Sequence, residues 1–82
     1  MDYYKQRKFA EDLSTILEDP DSLAYYDSLT QKYSWLFLRK TAAKVINTPN
    51  IRNKGAYFNT LVQMNGKKFR LRPPFEQGFD FD

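Results

Sequence analysis

Ten basic side chains and no acidic one fall between residues 32 and 72: Lys32, Arg39, Lys40, Lys44, Arg52, Lys54, Lys67, Lys68, Arg70 and Arg72. Like charges at that density repel one another in a compact fold, so something must bring anions to them. Three sources are open. The first 31 residues carry seven acids (Asp2, Glu11, Asp12, Glu18, Asp19, Asp21, Asp27) against Lys5, Arg7 and Lys8. Residues 73–82 add Glu76, Asp80 and Asp82 with no base. The third source is an external polyanion. Lys and Arg are exposed in most proteins, so a merely solvated face is the plainer alternative. Ordinary surfaces mix the two signs, however, and the missing acids favour a polyanion partner.

The 82 residues suffice for one core and no more. A chain of this size buries about 60–65% of its unfolded surface. With no Cys, disulfides, thiolate zinc sites and cysteine nucleophiles are excluded. With no His, the side chain most used for proton transfer and metal ligation is missing too. No G-x-S-x-G, S-x-x-K or G-x-x-x-x-G-K-[ST] pattern is present. The paired acids Glu11-Asp12 and Glu18-Asp19-Asp21 lie near expected helix ends, where carboxylates act as caps and dipole partners. The expectation is a non-enzyme with no catalytic residue, no metal and no cofactor. No apolar run reaches the roughly 20 residues of a membrane span, and the first residues lack a signal-peptide stretch. A reducing, cytoplasmic setting without membrane contact follows as the expectation.

Hydrophobic periodicity predicts an all-α fold, a compact bundle of about four short helices. Asp2 caps a first helix to about Glu18, with Phe9, Leu13, Ile16 and Leu17 inward. Asp19-Pro20-Asp21 breaks it, and a second helix runs from Pro20 or Asp21 to Lys32 with Leu23, Tyr26, Leu29 and Tyr33 inward. Ser34 is the expected N-cap of a third, stapled by Tyr33 and Leu38 and running to about Asn47. Its inward residues are Trp35, Leu38, Ala42, Val45 and Ile46. Asn53 is the expected cap of a fourth, carrying Tyr57, Phe58, Leu61, Val62 and Met64.

Asn65-Gly66 reads either as a helix C-cap with Gly66 at positive φ or as the turn of a hairpin. A fourfold repeat in residues 56–64 favours the cap. Residues 67–72 alternate polar and apolar, which predicts a basic extended arm over 65–72. In it Lys68, Arg70 and Arg72 share one face while Phe69 and Leu71 anchor the other. Residues 1–72 are thus one helical domain with its arm, and residues 73–82 a flexible acidic tail.

Phosphate contacts need cations with reach, and bases stack on aromatic faces. The expected nucleic-acid-binding residues are Arg39, Lys40, Lys44, Arg52, Asn53, Lys54, Tyr57, Lys67, Lys68, Arg70 and Arg72. Tyr57 is the stacking candidate, and residues 53–57 form a helix N-terminus with free N–H groups. The plainer reading gives Phe58 and Tyr57 to the core. In the tail, Phe75, Phe79 and Phe81 alternate with acids and suit a basic, apolar pocket on a partner protein. The style is similar to the C-termini of single-stranded-DNA-binding proteins, although this tail ends in Asp82.

The stretch from Tyr25 to Gln63, through Leu38-Arg39-Lys40 and Ile51-Arg52-Asn53-Lys54-Gly55-Ala56-Tyr57-Phe58, resembles helical modules of phage and plasmid replication initiators and helicase-loader-like proteins. Those modules carry an Asn-Pro-Ala/Gly-Tyr-Phe/Leu-type helix start after a basic helix; here Lys54 stands where proline is common. The resemblance covers about half the chain and implies a replication or mobile-element accessory, with nothing catalytic. The functional expectation is a small nucleic-acid-binding subunit of a larger protein–nucleic-acid assembly, with DNA ahead of RNA and a larger protein partner. The alternatives are an adaptor or inhibitor docking on an acidic protein through the basic block and aromatic tail, and an oligomerising structural subunit.

Overall fold

Hydrogen-bonded caps set most of the helix boundaries in the computed structural model, which describes residues 3–71. The first helix, α1, spans Tyr3–Ile16. Asp2, its expected cap, lies outside the described residues. The helix closes on a Schellman-type turn, with Glu18 N–H donating to the Thr15 carbonyl at 3.1 Å and Asp19 N–H to that of Ser14 at 2.8 Å. Glu18 occupies the left-handed position of that turn, at φ 56°, where glycine is usual. A 3-10 turn, Pro20–Ser22, then leads into α2, Leu23–Lys32.

Ser34 caps α3, Trp35–Ile46, by accepting from Phe37 N–H at 3.3 Å. Asn50, at φ 65°, reverses the chain after it. Asn53 caps α4, Lys54–Asn65, by accepting from Ala56 N–H at 2.9 Å. Four helices and no extended strand occur among the described residues, so the chain is an all-α bundle. None of the described helices is long and apolar enough to cross a membrane.

Packing pairs α1 mainly with α2 and α3 mainly with α4, while α1 also touches α3. The shared core comprises Ala10, Leu13, Leu17, Tyr26, Leu29, Tyr33, Phe37, Leu38, Ala42, Val45, Phe58, Leu61 and Val62. Phe9, Leu23 and Tyr57 pack against its edge. Polar groups inside this core are satisfied locally or across helices. Gln6 donates to Asp27 at 3.1 Å, and the Thr41 hydroxyl donates to the Phe37 carbonyl at 2.8 Å. Three residues expected inward are exposed instead: Ile16, Ile46 and Met64. Each lies at the margin of its helix's apolar stripe, and the neighbouring helix covers only the centre.

The region after α4 departs from expectation. Gly66 has φ −76°, in the right-handed region. Its lack of a side chain serves a close approach, since a Cβ there would stand 2.7 Å from Cε1 of Tyr33. Residues Gly66–Phe69 continue as a 3-10 turn rather than an extended arm. Among the described residues, Arg70 alone of this segment pairs like a strand residue, in an isolated antiparallel bridge to Tyr33. Its partner is the two-residue corner between α2 and α3, too short to form a strand. A hairpin partner at 61–64 is ruled out by the simultaneous burial of adjacent Leu61 and Val62, which suits a helix face and not one side of a strand. The expected anchors hold: Phe69 stacks on Phe37, and Leu71 is buried. Arg72 and the tail residues Phe75, Phe79 and Phe81 lie outside the described residues.

Candidate nucleic-acid interface

Bases outnumber acids by nine to none between residues 32 and 71, and how the fold compensates them decides what they can do. The acids of the first third turn mostly to bases of the same third. Arg7 lies 3.8 Å from Glu11 and 3.9 Å from Asp27, and Lys8 lies 4.0 Å from Asp12. Among the described residues, one ion pair crosses into the basic block, Lys54 to Glu18 at 3.0 Å. Arg39 has a different neighbour: its guanidinium sits 5.8 Å above the centre of the Phe9 ring, which stacks on Trp35 at 5.1 Å. The other seven, Lys32, Lys40, Lys44, Arg52, Lys67, Lys68 and Arg70, are exposed, and none forms an ion pair among the described residues.

These cations fall into a row with two ends. At one end the 3-10 turn carries Lys67 and Lys68, and the bridge residue Arg70 follows. Two backbone bonds fasten that segment to the start of α3, Ser34 N–H to the Phe69 carbonyl at 2.9 Å and Leu71 N–H to the Lys32 carbonyl at 2.8 Å. Lys40 and Lys44 lie three and seven positions after Phe37, so they continue along α3 on the side where Phe69 stacks. Because α4 ends against the start of α3, the two helices run antiparallel. Arg52, on the 47–53 connection, therefore stands at the far end of the row. The twelve residues of α3 set its length at about 18 Å.

The N-terminus of α4, expected to receive a phosphate, opens on a cleft of about 440 Å³ whose wall includes the protein's own acid, Asp19, beside Tyr26, Asn53 and Gly55. A Cβ on Gly55 would fall 2.5 Å from Oδ2 of Asp19 and 2.9 Å from the Tyr26 hydroxyl. Tyr26 donates to Asp19 at 2.9 Å, and Lys54 beside them pairs with Glu18. Asp19 on the wall of this cleft repels an external anion, and Glu18 already neutralises Lys54 at its side. Burial is the first cause that raises the Tyr26 phenol pKa far above its ordinary value, and the Asp19 hydrogen bond and charge push the same way. Asn53 uses its side-chain oxygen as the cap, and Tyr57 is packed against the core edge.

The residue that sequence reasoning missed is Phe69. Its ring lies parallel to that of Phe37, centroids 4.6 Å apart and planes within 8°, yet it remains 37% exposed in the midst of Lys67, Lys68 and Arg70. Alternation marked it as an anchor, which is true of one ring face only.

A second feature sits on the opposite flank of α3. Phe9, Leu13, Ile16, Ala42, Ala43 and Ile46 line an apolar cleft of about 270 Å³ between α1 and α3, with Asp12 and Arg39 at its rim. No protein-family model matches the chain, and comparisons with curated proteins and with solved structures return no match.

Proposed function

We propose that this chain is a non-enzymatic nucleic-acid-binding accessory, with Lys40, Lys44, Lys67, Lys68 and Arg70 as its main phosphate contacts and Arg52 at the far end. The observation that carries the reading is the unbalanced row. Seven exposed cations lack ion-pair partners among the described residues, although seven acids precede them in sequence. Such a row binds a phosphate backbone through counterion release without reading sequence. Lys54, Asn53 and Tyr57 have structural duties and contribute less; Arg39 contributes from the flank. DNA is the preferred polymer, and the resemblance to replication modules adds a place in a cytoplasmic replication or mobile-element assembly.

Fluorescence anisotropy of the full chain with labelled oligonucleotides at about 50 and 200 mM salt tests it. Affinity is expected to fall steeply across that range, and Lys67→Glu with Lys68→Glu to lower it more than about tenfold. Lys8→Glu, which breaks an exposed pair on α1, is expected to leave it nearly unchanged. Absence of binding at the lower salt refutes the proposal.

A second reading, docking on an acidic protein that carries apolar side chains, has the α1–α3 cleft and its Arg39 rim in its favour. Removing residues 75–82 separates the two. The nucleic-acid reading expects oligonucleotide binding to stay or tighten as acids leave, and the adaptor reading expects the truncated chain to lose its protein partner.

A further inference from the structure

We infer that Phe69 is a stacking platform for an unpaired nucleobase, so the row of cations selects single-stranded over duplex nucleic acid. The inference rests on the nucleic-acid reading above and assigns that same surface its substrate class. One face of the Phe69 ring is covered by Phe37 in a parallel stack at 4.6 Å. With that face covered, the 37% exposure of the residue is left to the outer face, the ring edge and the backbone. An outward aromatic face is costly to leave in water, and the part of a nucleic acid that complements it is another flat ring, an unpaired base continuing the stack. Lys67, Lys68 and Arg70 flank that face directly in the chain, where they reach the phosphates on either side of a stacked base.

The platform is also fixed before any ligand arrives. Phe69 is the last residue of the 3-10 turn, and the bonds from Ser34 and Leu71 bracket it through the Phe69 and Lys32 carbonyls. Little ordering cost remains for binding. A duplex keeps its bases paired and stacked inside, so it offers the ring no exposed base and meets only the cations. Unpaired bases of DNA and RNA share this chemistry, and separate oligonucleotides distinguish them.

The test uses the full chain with labelled oligo-dT, oligo-rU and a mixed-sequence duplex, each of about 12 nucleotides, at low salt. Phe69→Leu keeps an apolar cover over Phe37 and removes the aromatic face; Phe69→Trp keeps it. The leucine variant, with unchanged circular dichroism, is expected to bind the single strands roughly tenfold more weakly. Its salt dependence should match the parent chain, since no charge has changed. The tryptophan variant is expected to bind as well as the parent and to show fluorescence quenching beyond that of Trp35. The preferred single strand names the polymer. A folded leucine variant that binds single strands as tightly as the parent overturns the inference, as does duplex binding equal to single-strand binding. In both cases the nucleic-acid reading survives. If the leucine variant fails to fold, unquenched Phe69→Trp at saturating oligonucleotide overturns it instead. Failure of every oligonucleotide to bind removes both.

Discussion

Gly55 shows how one missing methyl group can organise a corner. The Asp19 carboxylate and Tyr26 hydroxyl lie against it, so Gly55→Ala forces a part-buried hydrogen-bonded pair apart. Alanine is the better helix former by about 1 kcal/mol, and the crowding is expected to outweigh that gain. A net loss of about 1 kcal/mol should appear in urea unfolding, together with a fall in the Tyr26 phenol pKa by spectrophotometric titration. Tyr26 also gives the fold an alkaline limit. Its folded pKa is raised by burial and by Asp19, so its contribution is fully present below the unfolded value of about 10 and is lost as pH rises through the folded one. Urea midpoints are expected to decline above about pH 10, and Tyr26→Phe to flatten that decline. Glu18 is held at φ 56° with only an exposed ion pair to offset the strain. Glu18→Gly is expected to stabilise the chain by about 0.5 kcal/mol in the same assay.

At the level of elements, the boundaries were legible wherever a cap combined residue type with spacing. Ser34 and Asn53 are each followed three positions later by the N–H they accept, and Asn53→Ala is expected to cost about 1 kcal/mol. Thermal unfolding should register it as a shift of several degrees. Gly66 was legible as a necessary glycine but not for its reason. Sequence shows a glycine after a helix; it does not show the Tyr33 ring lying where its Cβ would be. The alternation in residues 67–72 was misleading for a similar cause. Two anchors, Phe69 and Leu71, satisfy a strand pattern, and only three dimensions show that no strand among the described residues lies beside them. Ile16 and Ile46 read as core because periodicity cannot say how wide a stripe the neighbouring helix covers.

For the molecule as a whole, charge segregation was legible and charge pairing was not. The sequence required a counterweight to the basic block without saying which acid would supply it. Lys54 meets Glu18 across 36 positions, while Arg7 and Lys8 keep their acids local. That allocation leaves the row along α3 and the 3-10 turn without an ion-pair partner among the described residues. Raising salt should therefore tighten the folded state slightly by screening self-repulsion, even as it weakens nucleic-acid binding. A urea midpoint that rises between about 50 and 200 mM salt would reveal the first effect; the anisotropy series reads the second.

The clasp between residues 69–71 and the corner at 32–34 has a further bearing on how the chain acquires its shape. Tyr33 and Phe37 precede Gly66 and Phe69, which lie against them, by more than thirty positions. Over that interval of elongation both rings lack the neighbours that later cover one side of them. The corner can shut only once the 3-10 turn and Leu71 have been made.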